Sequence, residues 1–141
     1  MRGLAGRVDR VCADASSTPF AGGTFDAATM AFGIRNTPDT AATLAEIRRI
    51  LKPGGMVLIL EFSLPKNRIV RWCYLKYLRS VVPWIGAAVS RDRQAYRYLD
   101  ESIEAFHRPE AFSSLMRQAG FRTVSAIPLT FGVASIYKGT K

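Results

Sequence analysis

The fold is decided by one segment, Arg49-Ile50-Leu51-Lys52-Pro53-Gly54-Gly55-Met56-Val57-Leu58-Ile59-Leu60-Glu61-Phe62-Ser63. Apolar residues recur at helical spacing up to its first residues: Leu44, Ile47, Ile50 and Leu51. Pro53 ends this predicted helix, and the two glycines after it predict a turn that can adopt positive φ. Met56–Leu60 is a continuous apolar run, typical of a parallel strand that is covered on both faces. Glu61 and Ser63 follow it at the carboxyl end, where open α/β sheets bind their ligands.

Composition and charge narrow the class of protein. The chain has 141 residues, of which 48% are hydrophobic and 22% charged, so it is long and apolar enough for one domain with a core. Its net charge of +9 favours anionic partners, but no nucleic-acid motif accompanies the charge, so we expect no nucleic-acid partner. Cys12 and Cys73 are far apart in the sequence and are expected to be reduced thiols, as in a cytoplasmic protein. The uncharged run Ser80–Ser90 is shorter than the roughly 20 residues that a membrane-spanning helix needs.

Periodicity and turn signals place the other elements. Strands are predicted at Val8–Ala13, Phe25–Phe32, Phe121–Ile127 and Phe131–Tyr137. The last two read as an antiparallel pair around Pro128-Leu129-Thr130. Helices are predicted to begin at Pro38-Asp39 and to cover Arg68–Val82, Ser90–Phe106 and Arg108–Ala119, the last ended by Gly120. His107 is the only histidine and lies at a helix start, so no metal cluster is expected.

Three segments together carry a family resemblance. They are Arg49–Ser63, Ala31-Phe32-Gly33-Ile34-Arg35-Asn36, and Tyr96-Arg97-Tyr98-Leu99-Asp100-Glu101-Ser102-Ile103. In this order they resemble the C-methyltransferases of ubiquinone and menaquinone biosynthesis. The resemblance runs from about Val8 to Lys138 and corresponds to the second half or so of the family's usual length.

The resemblance implies an α/β, Rossmann-like S-adenosylmethionine-dependent methyltransferase fold with sheet order 3-2-1-4-5-7-6. Against that fold we expect one partial domain over residues 1–141, truncated at the N-terminus, with strands 1 and 2 absent. An antiparallel strand pair would close it, and a helical lid would be inserted at about residues 64–106. Without strands 1 and 2, Val8–Ala13 has no neighbour and Phe25–Phe32 becomes an exposed apolar edge.

The same resemblance implies a reaction and a set of site residues. The reaction is methyl transfer from S-adenosylmethionine to a ring carbon of a prenylated hydroquinone. Cofactor-binding positions are Asp14, Ala15 and Ala31; catalytic positions are Arg35 and Asn36; substrate-binding positions are Glu61, Tyr96 and Tyr98. Arg35 is too basic to act as an ordinary base and would orient a water or stabilise a phenolate. Alternatively, Asp14 caps a turn, Arg35 forms a structural pair in its loop, and Glu61 only holds the end of its strand.

Two further functions stay open from the sequence. Arg68, Arg71, Lys76 and Arg79 form one arc of the predicted Arg68–Val82 helix, with Trp72 and Trp84 nearby. This helix either lies on the anionic inner surface of a membrane or packs on the core as a lid.

No glycine-rich turn follows a strand in the sequence, which counts against catalysis by the isolated chain. The alternative is a non-catalytic truncated paralogue that pairs with itself, with a complementing N-terminal segment or with another partner through its open edge.

Overall fold

The structure is a computed structural model that describes residues 8–81 and 102–141. Its strands are β1 (Phe25–Ala31), β2 (Leu51–Phe62), β3 (Arg122–Leu129) and β4 (Ala134–Thr140). Its α-helices are α1 (Thr40–Ile50), α2 (Arg68–Lys76) and α3 (Pro109–Gln118). Shorter helical turns cover Ile34–Asn36, Tyr77–Val81, 102–105 and Thr130–Gly132.

The four strands form one sheet in the order β1-β2-β4-β3. β1 and β2 are parallel, whereas β4 is antiparallel to both of its neighbours. This is the order 4-5-7-6 that the resemblance implied, so the α/β fold and its antiparallel C-terminal pair are confirmed. Among the described residues β1 is an edge strand, as predicted for Phe25–Phe32.

The core lies between one face of the sheet and the helices α1 and α3. Side chains of a strand alternate between its two faces, and every second residue of β2 from Gly55 onward is buried. The largest buried apolar side chains come from both layers: Leu44, Ile47, Val57, Ile59, Phe112, Met116 and Tyr137. The same alternation places Glu61 and Ser63 on this covered face, at the carboxyl end of β2.

The predicted turn at Pro53 is instead an irregular part of β2. α1 ends at Ile50, and the strand begins directly at Leu51, which is fully buried and pairs with Phe25. The next pair is Ala27 with Met56, so one residue of β1 opposes four of β2. Burial of Leu51 draws the backbone into the sheet before the proline. Gly54 has a φ of 78°, as the predicted turn required.

The strand prediction for Val8–Ala13 is wrong. These residues have no regular secondary structure, and the side chains of Val8 and Val11 are exposed. A strand is stable only when its backbone pairs with a neighbour, and no described strand lies beside this segment. The backbone of the next residues forms only an isolated bridge between Asp14 and Ser17.

The C-terminal hairpin is confirmed, but its turn is shifted from Pro128-Leu129-Thr130 to Thr130–Gly132. Pro128 stays within β3 because this strand lies at the edge of the described sheet, where a missing N–H is tolerated. Phe131, predicted to begin the last strand, lies in the turn with a φ of 57° and is 87% exposed.

The predicted helices differ in how far the structure follows them. α3 begins with Pro109 in its first turn, and Gly120 follows it with a φ of 91°, as predicted. The predicted Arg68–Val82 helix is α-helical to Lys76 and continues as a π-helical turn to Val81. The predicted Ser90–Phe106 helix lies outside the described residues except for its last turn.

The length and hydropathy of the described helices were compared with those of membrane-spanning helices. Across residues 8–81 and 102–141, none is both long enough and apolar enough to cross a bilayer.

Candidate functional site at the carboxyl ends of β1 and β2

The loop after β1 brings Arg35 and Asn36 to the carboxyl edge of the sheet. Phe32 leaves the strand with a φ of 53°, and Gly33 leads into the helical turn Ile34–Asn36. Ile34 is fully buried in the core and anchors this turn. The predicted Ala31 is the last residue of β1, pairs with Leu60 and is exposed.

Arg35 and Glu61 form a buried ion pair. Nη1 of Arg35 lies 2.5 Å from Oε1 of Glu61, and the backbone N–H of Arg35 donates to Oε2 of the same carboxylate at 3.4 Å. The Glu61 side chain is 0% exposed and that of Arg35 is 8% exposed. The backbone N–H of Phe62 also donates to Oε1 of Glu61 at 2.8 Å. Burial of this depth needs both the pairing and the extra donors.

Further contacts fix the plane of the guanidinium group. Nη1 of Arg35 donates to the backbone oxygen of Phe32 at 3.1 Å, and Nε donates to Oγ of Ser102 at 3.3 Å. The Phe62 ring lies 5.3 Å from Cζ of Arg35, within cation–π distance, and it packs 4.5 Å from the Phe32 ring. The guanidinium therefore has one orientation between a carboxylate, a hydroxyl and an aromatic face.

Asn36 lies beside this pair but is more exposed. Its Nδ2 is 3.5 Å from the backbone oxygen of Phe32, the atom that also accepts from Arg35. The structure thus brings the two predicted catalytic residues, Arg35 and Asn36, together with Glu61, which was predicted to bind the substrate. Tyr96 and Tyr98 lie outside the described residues.

Asp14 and Ala15 lie in a surface turn before β1. Oδ1 of Asp14 accepts from the backbone N–H of Ser16 at 2.8 Å and from its hydroxyl at 2.7 Å. These hydrogen bonds hold the pKa of Asp14 below its usual value. The turn-capping role that the sequence left open is present, and the exposed carboxylate is ionised at neutral pH.

The sequence missed the contacts that hold the segment after this turn. Glu46 of α1 accepts from both N–H and Oγ1 of Thr18, at 2.8 and 2.5 Å, and pairs with Nε of Arg49 at 2.6 Å. Arg49 also donates to the backbone oxygen of Phe20 at 2.6 Å. The hydrogen bond from Arg49, with those from Thr18, lowers the pKa of Glu46 to about 2. Only the spacing of three between Glu46 and Arg49 signals this cluster in the sequence.

The sequence also missed the partners of Arg35. Ser102 belongs to the third resembling segment but received no role, and it is far from Arg35 in sequence. Phe62 lies between Glu61 and Ser63, and strand alternation predicts for it the opposite face of the sheet. Its ring nevertheless lies 5.3 Å from Cζ of Arg35.

Comparisons with known proteins agree with the α/β fold and identify the family of the chain. The profile of the ubiE/COQ5 methyltransferase family matches residues 1–141. The ubiquinone/menaquinone biosynthesis C-methyltransferase UbiE of Cereibacter sphaeroides is 43% identical over 138 residues, 98% of this chain and 55% of the relative. The chain thus spans about half the length of the curated relatives that it matches.

Solved structures agree on the fold. The [4+2]-cyclase SpnF has a TM-score of 0.69 at 20% identity over 99% of this chain and 59% of that protein. An S-adenosylmethionine-dependent methyltransferase from Thermotoga maritima has a TM-score of 0.59 at 21% identity over 90% of this chain and 61% of that protein. The matched profile, the relative's identity and the sheet order lead to one conclusion: the chain belongs to the ubiE/COQ5 methyltransferase family.

Proposed function

We propose that this chain provides the substrate-side part of a C-methyltransferase of ubiquinone or menaquinone biosynthesis, which methylates a ring carbon of a prenylated hydroquinone. The observation that carries the proposal is the buried ion pair between Arg35 and Glu61 at the carboxyl edge of two parallel strands. Ligands of open α/β sheets bind at that edge. A guanidinium group that is held in one orientation by a carboxylate can recognise the hydroxyl group of a polar aromatic ring at this edge.

S-adenosylmethionine fits the described residues in part. Asp14 offers an ionised carboxylate on an exposed turn, which can accept from an adenine amino group, and Ala15 follows without a bulky side chain. Ala31 ends β1 with an exposed methyl group beside the loop of Arg35. These three residues would hold the adenine side of the cofactor, which when bound supplies an electrophilic methyl group on a sulfonium.

Arg35 would orient the hydroxyl group of the aromatic ring. Loss of a hydroxyl proton makes the ring electron-rich at carbon, and a fixed N–H donor stabilises the resulting oxyanion. Glu61 is fully buried beneath Arg35, so we revise its role from substrate contact to positioning of the guanidinium. Asn36 is exposed beside it and would donate or accept at the ring.

A hybrid enzyme tests the proposal. This chain would replace the matching 138 residues of the Cereibacter sphaeroides relative, and methyl transfer to a prenylated hydroquinone would be measured. We expect activity from the hybrid, and a loss of about 100-fold or more in kcat for Arg35→Met, as for removal of an oxyanion donor. Arg122→Gln, which changes an exposed arginine of β3, is the matched control. A folded but inactive hybrid, beside an active relative, would refute the proposal.

Membrane association is a second candidate role, which the surface of α2 favours. Ile69 is 74% exposed and Trp72 is 62% exposed. Arg68, Arg71 and Lys76 form no ion pair with a described residue, and α2 contains no acidic residue. Basic and aromatic side chains on one exposed helix suit peripheral binding at the anionic inner surface of a membrane.

Vesicle binding tests this role. The chain would sediment with vesicles that contain phosphatidylserine and be released by salt, because surface charges are screened. Trp72→Gln should weaken the binding, whereas Val8→Gln, at an apolar side chain that is exposed to a similar degree (64%), should leave it unchanged. Equal sedimentation with neutral vesicles would contradict the electrostatic part.

We also propose that the domain carries a lid and an association edge. Residues 1–141 would form one partial domain, with a lid over about residues 64–106 that includes the exposed α2. β1 is an edge of the described sheet and would pair with a second copy or with a complementing N-terminal segment. In the non-catalytic alternative, the chain acts only by pairing through this edge. An inactive hybrid, together with dimerisation of the isolated 141-residue chain, would favour that alternative.

A further inference from the structure

Two cavities adjoin each other beside the carboxyl end of β2, around the loop that follows this strand. The larger has a volume of about 650 Å³ and lies between α3, the hairpin of β3 and β4, and the loop after β2. The smaller has about 320 Å³ and lies between that loop, the start of α2 and the start of α3. Both are lined by Leu64, Lys66, Pro109 and Glu110, so they share one wall. Their volumes are those of small-molecule sites.

The larger cavity combines apolar walls with polar side chains, among them Lys66, Glu110 and Arg117. The apolar contributors are Leu64, Pro109, Ala126, Pro128 and Phe131. The floor carries Ser63 and Ser135, which are buried and 3.0 Å apart between their hydroxyl oxygens. Oγ of Ser63 also donates to the backbone oxygen of Gly132 at 2.9 Å, so these hydroxyl groups are already paired within the protein. The floor therefore needs no partner from a ligand, and a chain of hydrocarbon can occupy this space at little polar cost.

The smaller cavity is basic. Among the residues that the structure describes, Lys66, Arg71 and Arg108 line it, against one carboxylate, that of Glu110. Nζ of Lys66 lies 2.5 Å from Oε1 of Glu110, and both side chains are mostly exposed. Arg108 also acts electrostatically on Glu110, but neither Arg108 nor Arg71 forms an ion pair with a described residue, so both can meet a ligand. Arginine matches the oxygens of a phosphate group better than lysine, because its guanidinium presents paired donors.

We propose that the two cavities form one site for an anionic amphiphile, with its hydrocarbon chain in the larger cavity and its phosphate head in the smaller. The exposed ion pair between Lys66 and Glu110 lies at their common wall, where the chain meets the head. A phosphate head would compete with Glu110 for Lys66, so the pair can open without leaving a buried charge. The described lining residues of the two cavities differ from those assigned to the cofactor or the ring.

Calorimetric titration of the 141-residue chain tests this site. The probes are farnesyl phosphate below its aggregation concentration, farnesol and inorganic phosphate. We expect farnesyl phosphate to bind at least tenfold more tightly than either fragment, because only it fills both cavities. Equal affinity for all three, or no binding of farnesyl phosphate by the folded chain, would overturn the proposal.

Matched variants assign each half of the ligand to its cavity. Arg108→Gln should weaken farnesyl phosphate about tenfold, the loss of one charged hydrogen bond, and leave farnesol unchanged. Ala126→Phe fills part of the larger cavity and should weaken both chain-bearing probes. Lys138→Gln removes an exposed charge of β4 outside both cavities and should change neither.

The last arm distinguishes a membrane lipid from a free isoprenoid phosphate. Vesicles of phosphatidylcholine with phosphatidic acid would be compared with monomeric farnesyl phosphate, each with the wild-type chain and with Ala126→Phe. If Ala126→Phe weakens both, the site accepts a lipid from the membrane; if it weakens only farnesyl phosphate, the source is soluble. Unchanged binding of both by Ala126→Phe would refute the use of the cavity.

Discussion

Glu46 offers the sharpest test of how the segment before β1 is held. Its carboxylate is 8% exposed and accepts hydrogen bonds from Thr18 and Arg49, which join α1 to a segment 28 residues earlier. Glu46→Gln keeps the shape of the side chain but removes its charge. We expect the variant to unfold at lower urea concentration than the wild-type chain.

The magnitude follows from the pKa of Glu46. Its fall from 4.5 to about 2 on folding corresponds to about 3 kcal/mol. Arg49 is 45% exposed, so solvent screens the pair, and we reduce the expected loss to about 1–2 kcal/mol at pH 7. Because the folded state lowers this pKa, the stabilisation is present above pH 4.5 and is lost as the pH falls toward 2.

Urea unfolding followed by circular dichroism measures this effect. The difference between wild type and Glu46→Gln should be constant from pH 7 to pH 5 and shrink below about pH 4. Glu110→Gln is the control, since Glu110 forms an ion pair of similar length with Lys66 at the exposed surface and should change stability little. A difference that is absent at pH 7, or that persists unchanged at pH 2.5, would refute the reasoning.

Three further predictions concern the core. Glu61→Leu should lower the free energy of unfolding in urea by about 3–5 kcal/mol, because it leaves the guanidinium of Arg35 unpaired at 8% exposure. The double variant Glu61→Leu with Arg35→Met should recover part of this loss. An equal loss of stability in the single and the double variant would contradict the pairing. Tyr137→Phe should change stability by less than about 1 kcal/mol, because its buried hydroxyl makes no well-formed hydrogen bond to a described residue, although Ser135 interacts with it. Burial raises the pKa of Tyr137 to about 12, so its ultraviolet titration should be absent at pH 10. Gly55→Ala should lower the free energy of unfolding by roughly 1–3 kcal/mol, because the added Cβ would lie 2.9 Å from the backbone oxygen of Lys52. Gly22→Ala is the control and should cost less, because its Cβ would make no contact under 3.4 Å. A lower unfolding midpoint for Gly22→Ala than for Gly55→Ala would argue against this packing.

Local signals predicted the parts of the fold that depend on neighbours in sequence. The apolar run before Glu61 predicted β2, and Pro109 with Gly120 predicted both ends of α3. These signals succeed because backbone conformation and side-chain period act within a few residues. The resemblance added the strand order, which no local pattern contains.

Local signals failed where a distant partner decides the conformation. Val8–Ala13 alternates as a strand does, but no described strand pairs with it. Pro53 signals a turn, but the burial of Leu51 continues the sheet through it. In both cases a tertiary contact, present or absent, outweighs the local preference.

The candidate site shows the same division. From the sequence alone came the family motifs, the α/β class, and the placement of Arg35, Asn36 and Glu61 at the carboxyl edge of the sheet. Only the tertiary structure paired Arg35 with Glu61 and added Ser102, because these residues lie 26 and 67 positions from Arg35 in the chain. Side chains so far apart in sequence meet only after the strands have paired and the core has closed, and their distances are set by that packing.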